Sequence, residues 1–493
     1  MRDTLFHLRR EENISIQSQI REMLVAAILD GQLPTGEPLP SSRKMARTLG
    51  VSRNTVVLAY QGLVDDGYLT ARERSGFYVN VEILKGRAQA RDRHPPTPDR
   101  APTWDNRFRV RPSLQENIEK PVNWMSYPYP FIYGQVDQAL FPIAAWRECS
   151  RQALGKKGLF AWTSDSLGRD DPLLVEQIRT RLLPRRGILV SEDQILITLG
   201  AQNALYLLFS LLVSERTAVG IEDPCYADVR NTFRLKTSNV RPIPIDAKGL
   251  PVDQRLDGLS YVYVTPSHQF PTTVTMPLER RQALLAAAAE RDFMVIEDDY
   301  EAETNYVSEP TPALKSLDTN DRVIYVGSFS KILFPGLRLG YLVGPAPLIA
   351  EARALRRLML RHAPTNNQRT TGLFLSLGHH DALVSRLHRV YRERWKRMGE
   401  ALAEHLPKAS RAPTFGGTAY WVRGPENLDA EDLAREAAKE GVLIEPGRVL
   451  FAAEDGPRNF FRLGFSSIPE EKIEPGIRIL ADVVRRLAGR WHG

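Results

Sequence analysis

The chain has 493 residues, 43% of them hydrophobic, and a formal net charge of +7. Such a length exceeds one compact core and predicts two or three domains. The modest charge excludes a wholly polyanion-coating protein but leaves room for a local basic face. Two cysteines, Cys149 and Cys225, exclude a disulfide framework and point to a reducing compartment.

In chain order, apolar residues first recur at helical spacing from Ile16 to Leu29, through Ile20, Leu24, Ala27 and Ile28, until Gly31 and Pro34 stop them. The opening residues lack the apolar run of a signal peptide and no later stretch reads as a membrane span, so a cytoplasmic protein is expected. A second, short helix is predicted between Pro40-Ser41-Ser42 and Gly50, and Ser52 starts a third that turns Val56, Tyr60 and Leu63 inward. The link Gly50-Val51-Ser52 is a helix-turn-helix turn. Tyr68-Leu69-Thr70 and Gly76-Phe77-Tyr78-Val79 then alternate as two strands around a charged turn, which adds a wing.

Basic residues Arg43, Lys44, Arg47 and Arg53 cluster with no acid between Ser41 and Val56. Ser52, Arg53, Asn54 and Thr55 lie at a helix N-terminus, where amides and short polar side chains meet phosphates and Arg or Asn reads base edges. The hallmark Leu39-Pro40-Ser41-Ser42-Arg43, followed by Gly50-Val51-Ser52-Arg53-Asn54-Thr55-Val56, resembles the GntR family of bacterial transcriptional regulators. That resemblance implies a winged helix-turn-helix over residues 1–80, with Arg43, Ser52, Arg53, Asn54 and Thr55 on operator DNA and the Ser75-Gly76 turn near a groove.

Residues 81–122 are expected to be a flexible linker, rich in Arg, Asp and Pro around Pro95-Pro96-Thr97-Pro98 and too poor in apolar side chains to order themselves. From residue 123 to 493, helices alternate with apolar strands. The strands are expected at Gln194–Thr198, Thr217–Ile221, Tyr261–Val264, Phe293–Ile296, Val323–Val326 and Leu339–Val343. That alternation predicts an α/β fold with a parallel-rich sheet covered on both faces and ligands at strand ends. A smaller α+β lobe is expected over about 386–493, with Thr418–Val422 and Phe460–Phe465 as strands.

Four separated blocks carry the chemistry of this second part. Thr198-Leu199-Gly200-Ala201-Gln202 follows a strand and opens a helix, so its amides can cradle a phosphate. Lys331 is flanked by Ser328, Ser330 and Arg338, a lysine able to form a Schiff base beside hydroxyls and a fork suited to phosphate. Glu297-Asp298-Asp299-Tyr300 supplies an acid able to protonate a pyridine nitrogen, and alternation leaves open whether Asp298 or Asp299 faces inward. Thr265-Pro266-Ser267-His268-Gln269-Phe270 forms the last block; it resembles the Asn-Pro-Thr-Gly loop of pyridoxal-phosphate aminotransferases with Phe270 where those commonly place asparagine, and that resemblance implies that His268 and Gln269 either take over contact with the cofactor's ring oxygen or shape the loop.

These blocks resemble fold-type I pyridoxal-phosphate aminotransferases, and their fusion to a GntR segment resembles the MocR subfamily. The resemblance implies pyridoxal 5'-phosphate as cofactor, held by Lys331, Asp298, Tyr300, Gly200, Ala201, Gln202, Tyr226, His268, Ser328, Ser330 and Arg338, with Lys331 as the catalytic Schiff-base residue. It implies Arg462 on an effector's α-carboxylate and Gly134, in Tyr133-Gly134-Gln135-Val136-Asp137, close to the ligand. Cys225 replaces the glycine that usually precedes Tyr226 and is expected to be an inert packing residue. A member of the subfamily that answers to GABA carries an arginine where this chain has Asp228, so a neutral or cationic amine is favoured over one with a distal carboxylate.

The expected function is a homodimeric, DNA-binding transcriptional regulator that senses a small amine or amino acid through aldimine exchange at Lys331. The rivals are an active aminotransferase with a DNA-binding appendage and a regulator that senses pyridoxal phosphate itself. No metal site is expected.

Overall fold

The computed structural model describes residues 6, 8, 14–85, 103–132, 136–165, 168–309, 311–407, 409, 413 and 415–488, without the side chains of 157 and 160–162. The chain divides into two compact units, Met1–Arg107 and Phe108–Gly493. No helix among the described residues is long and apolar enough to cross a membrane.

In the first unit, hydroxyls begin each helix by accepting an otherwise orphaned amide. Ser15 caps Ile16–Leu29 through the Ser18 amide, Ser41 caps Ser42–Leu49 through Lys44, and Ser52 caps Arg53–Asp65 through Thr55. Gly50 closes the second helix at φ +64°, a left-handed position that glycine takes without strain. The inward faces of the three helices meet Leu39, Leu69 and Val79 in one core. Leu69–Arg72 and Gly76–Val79 pair antiparallel, Leu69 opposite Val79, as the predicted wing. Tyr60 ties this core to the loop before the second helix, its hydroxyl donating to the Pro40 carbonyl at 2.9 Å.

The second unit is built on a seven-stranded sheet in the order Ile195–Thr198, Gly340–Val343, Val323–Ser328, Met294–Asp299, Tyr261–Val264, Val219–Asp223 and Val240–Pro244. Only Gly340–Val343 runs antiparallel to its neighbours. The six predicted strands are all present, shifted at their ends by a few residues. Val240–Pro244 was not expected, because its arginine and two prolines break an apolar pattern. It survives as an edge strand, where a proline that lacks an N–H costs no ladder bond on the open side. Alternate residues enter separate cores: Ile195, Tyr325 and Tyr341 on one face, Leu196, Ile324 and Leu342 on the other.

The C-terminal part carries the small antiparallel sheet Ala419–Arg423, Phe460–Gly464 and Glu445–Pro446. Its boundary differs from the expected residue 386, since one unbroken helix runs from His379 to His405. Its side chains share a core with the large sheet, in which Phe465, Ile477 and Leu480 cluster with Ile195 and Ile197.

The expected linker, 81–122, is shorter than composition suggested. Residues 86–102 lie outside the described residues, but from Phe108 onward the chain belongs to the second unit. Gln115 donates to the Asn231 carbonyl at 3.1 Å, Asn231 donates to the Glu116 carbonyl at 2.9 Å, and Glu116 pairs with Arg448 at 2.9 Å. Polar bonds to a folded surface order this stretch where apolar burial would not.

Candidate cofactor and effector site

The carboxyl ends of the parallel strands converge on one cavity, the position where open α/β sheets bind ligands. Its lining includes Ala201, Gln202, Tyr226, Asp298, Tyr300 and Ser328, together with Ser330, Lys331, Arg338 and Arg462. Ten of the residues picked from separated sequence blocks thus meet in one place. Gly134 lies outside the described residues.

Gly200 stands at φ +81° ahead of the helix Ala201–Leu212. A β-carbon there would come within 3.3 Å of the Arg338 guanidinium, so glycine lets the arginine close over the helix start. Arg338 donates to the Leu199 carbonyl at 3.0 Å and is an exposed residue of the cavity lining. Helix amides, the hydroxyls of Ser328 and Ser330 and this guanidinium form a cradle for a doubly charged anion.

Adjacent acids at the end of Met294–Asp299 point apart, as strand alternation requires. Asp298 lines the cavity and accepts from the Tyr263 hydroxyl at 2.7 Å through Oδ2, while its buried Oδ1 has no partner among the described residues. Asp299 faces away, paired with Arg186 at 2.7 Å and with the Tyr325 hydroxyl at 2.9 Å. Lys331 is half-buried, and its Nζ lies 5.8 Å from the Tyr300 ring centroid. Loss of water lowers its ammonium pKa, an effect opposed mainly by the Glu301 carboxylate.

His268 does not line the cavity. Its Nε2 is 3.3 Å from Glu301 Oε2, and burial lowers its pKa against the pull of that carboxylate. Gln269 donates to the Pro224 and Phe270 carbonyls at 2.8 and 2.7 Å. Gln269 is thus bound up in shaping its own loop, whereas His268 keeps a buried Nδ1 with no hydrogen-bond partner among the described residues, so that both roles stay open for it. Phe270 takes the cavity wall instead, 5.5 Å from the Tyr226 ring in an edge-on contact.

Cys225 is buried, and burial pushes its thiol up to about 12, so it is inert packing. Arg230 turns away from the cavity and donates to the carbonyls of Val449, Leu450 and Phe451. Tyr226 donates to Asp228 at 2.7 Å, which places an acid just behind the aromatic wall.

Sequence reasoning missed Leu205, Tyr263, Ile118 and Glu445 in the lining. Leu205 and Tyr263 read as ordinary core residues. Ile118 is a lone apolar residue in a polar stretch, a faint signal. Nothing in the linear order joins Glu445 to Arg462, which meet only through cross-strand register.

Burial pushes the Asp298 carboxyl up to about 7, helped by the neighbouring Asp299 charge and opposed by the Tyr263 hydrogen bond. The folded protein then holds a proton that the unfolded chain releases near pH 4. Stability from this group is present below about pH 4 and lost as pH rises to about 7. In cofactor-free protein, the melting temperature of wild type is expected to fall relative to Asp298→Asn between pH 5 and 7.5. A difference that stays constant across that range would refute the assignment.

In the first unit, Arg43, Ser52, Arg53 and Asn54 are exposed, Thr55 is half-buried, and Ser75 and Gly76 are exposed at the wing turn. Arg43, Arg47 and Arg53 line one shallow concavity between the second and third helices. Arg53 Nε reaches Ser42 Oγ at 3.5 Å, while the Ser52 hydroxyl is committed to its capping bond.

Residues 16–79 match the family of bacterial regulatory proteins of the gntR type, and residues 145–480 match aminotransferase class I and II. The chain is 44% identical over 472 residues to the HTH-type transcriptional regulator TauR of Rhodobacter capsulatus, spanning 96% of this chain and 97% of that one. It is 30% identical over 492 residues to the probable rhizopine catabolism regulatory protein MocR of Rhizobium meliloti, covering 96% and 94%. Among solved structures, the kynurenine aminotransferase of Pyrococcus horikoshii, in complex with PMP, superposes with a TM-score of 0.70 at 28% identity, covering 78% of this chain and 98% of that chain.

Proposed function

From a chain that belongs to the MocR-type GntR regulators, a winged helix-turn-helix fused to an aminotransferase-like domain, we propose a regulator that holds pyridoxal 5'-phosphate at Lys331 and reports a small amine or amino acid to operator DNA. The observation that carries this reading is the unpartnered Oδ1 of Asp298, buried in the cavity that also contains Lys331. A buried carboxylate oxygen without a donor is costly. A protonated pyridine nitrogen satisfies it and favours its charge.

The remaining residues fit the same group. The amides of Ala201 and Gln202 with Ser328, Ser330 and Arg338 bind its phosphate, and Tyr226, Phe270 and Tyr300 supply aromatic walls. Bound there, the cofactor contributes an electrophilic carbon that combines reversibly with primary amines. The lowered pKa of Lys331 keeps more of its amine neutral and able to react. Effector binding regulates only if it favours one of two DNA-affinity states. Two copies acting together suit paired half-sites, the usual geometry of such DNA-binding modules.

The test follows visible absorbance and the anisotropy of labelled operator DNA while cofactor-loaded protein is titrated with amines and amino acids. At least one compound is expected to change both signals over the same concentration range. Steady keto-acid release with no change in DNA binding would instead mark an aminotransferase, and dependence of DNA binding on cofactor alone would mark a cofactor sensor. Arg53→Ala is expected to weaken operator binding roughly 5- to 150-fold, the value of one base-reading contact, and to leave the absorbance intact. Equal loss of both signals would remove Arg53 from the DNA surface.

A further inference from the structure

Arg186, the partner of Asp299, also lines a second cavity, of about 310 Å³, that shares no lining residue with the one around Lys331. Such a volume suits a small molecule. Residues 298–305 run from one cavity to the other, with Asp298 and Tyr300 lining the first and Glu303 and Asn305 the second. His388 Nε2 donates to the Glu303 carbonyl at 2.6 Å and ties this segment to the long helix His379–His405. Leu182, Ala302 and Val384 complete the wall with apolar groups.

Both arginines of this lining are already paired, Arg186 with Asp299 at 2.7 Å and Arg185 with Asp381 at 2.8 Å. Among the described residues, the Glu303 carboxyl has no ion pair and takes a hydrogen bond from its own amide alone. Burial, with the Asp299 charge, pushes it up to about 7 and outweighs the Arg186 and Arg185 charges that favour its ionised form. A cation beside it would restore the carboxylate. Asn305 Oδ1 accepts from the Ser308 amide at 3.3 Å, while its Nδ2 is buried without an acceptor among the described residues. Such a donor is costly, and a ligand oxygen would satisfy it. An anion, by contrast, would meet the Glu303 charge, and no group of three or more His, Cys, Asp or Glu side chains among the described residues is placed to hold a metal ion.

We propose that this cavity is a second ligand site, separate from the cofactor, which takes a small organic ammonium ion bearing a hydroxyl or carbonyl oxygen. Glu303 binds the ammonium, and the Asn305 amide donates to the oxygen. Leu182, Ala302 and Val384 cover the carbon atoms between them. The site requires no chemistry at Lys331, so it stands or falls apart from the reading of the first cavity.

The probe is dimethylethanolamine, whose protonated tertiary nitrogen carries one N–H and cannot form a Schiff base with an aldehyde. Isoamyl alcohol has the same shape without the charge. Both are titrated calorimetrically into full-length, cofactor-loaded protein. Wild type is expected to bind the amine saturably, one per chain, and the alcohol roughly tenfold or more weakly, the worth of a hydrogen bond to a charged group. Glu303→Gln is expected to remove that preference. Val384→Phe leaves Glu303 in place, fills the cavity and is expected to abolish binding, which keeps the test decisive if Glu303→Gln does not fold. Absence of saturable binding to wild type, equal affinity for the two probes, or wild-type affinity for the amine in either folded variant overturns the proposal.

Discussion

Lys331→Ala protein is expected to bind pyridoxal phosphate without the visible absorbance of a lysine-bound cofactor and to lose the amine response completely. The lysine is half-buried beside Tyr300, and its ammonium is already disfavoured by loss of water. Replacing it removes a group whose charged form the fold resists. The thermal stability of the cofactor-free variant should accordingly stay within about 1 kcal/mol of wild type, as for a substitution that opens no sealed core. Spectra recorded with and without excess cofactor, beside a melting curve, separate the chemical role from folding. Persistence of the lysine-bound absorbance in this variant would remove Lys331 from the site.

Opposite effects are expected from the neighbouring acids of one strand end. Asp299→Ala strands Arg186, which is 6% exposed and also holds the Ser267 hydroxyl and the Thr311 carbonyl. Breaking a buried pair from one side costs about 3–5 kcal/mol, so a clear fall in melting temperature should appear with or without cofactor. Asp298→Asn keeps the shape and the acceptor for Tyr263 but loses the charge opposite the ring nitrogen. Its fold should persist, while cofactor affinity drops roughly 10- to 150-fold, the 1.5–3 kcal/mol of a hydrogen bond to a charged group. Equal cofactor affinity in wild type and Asp298→Asn would show that the carboxylate does not meet the ring.

Local chemistry explains why so much of the site was legible beforehand. Ser52 before Arg53, Gly200 before Ala201 and the Ser328-Phe329-Ser330-Lys331 run each act over a few residues, through caps, turns and helix starts whose geometry follows from neighbours in sequence. Apolar runs at Ile195–Thr198 and Val323–Ser328 marked strands buried on both faces for the same reason. The edge strand Val240–Pro244 was hidden because its pairing, not its composition, makes it a strand. Composition likewise stretched the linker to residue 122, since the bonds that Gln115 donates to Asn231 and Asn231 donates to Glu116 leave no apolar trace.

By itself, then, the amino-acid order determined the two-part architecture, the winged helix, the alternating sheet and the residues around Lys331, because periodicity and capping are short-range effects. Tertiary structure alone decided which of Asp298 and Asp299 faces the cavity, that His268 turns to Glu301, and that Phe270 and Ile118 form part of the wall. It also decided that Glu445 meets Arg462. These are outcomes of strand phase and cross-strand register, set by contacts between segments far apart in the chain, and no local rule carries them.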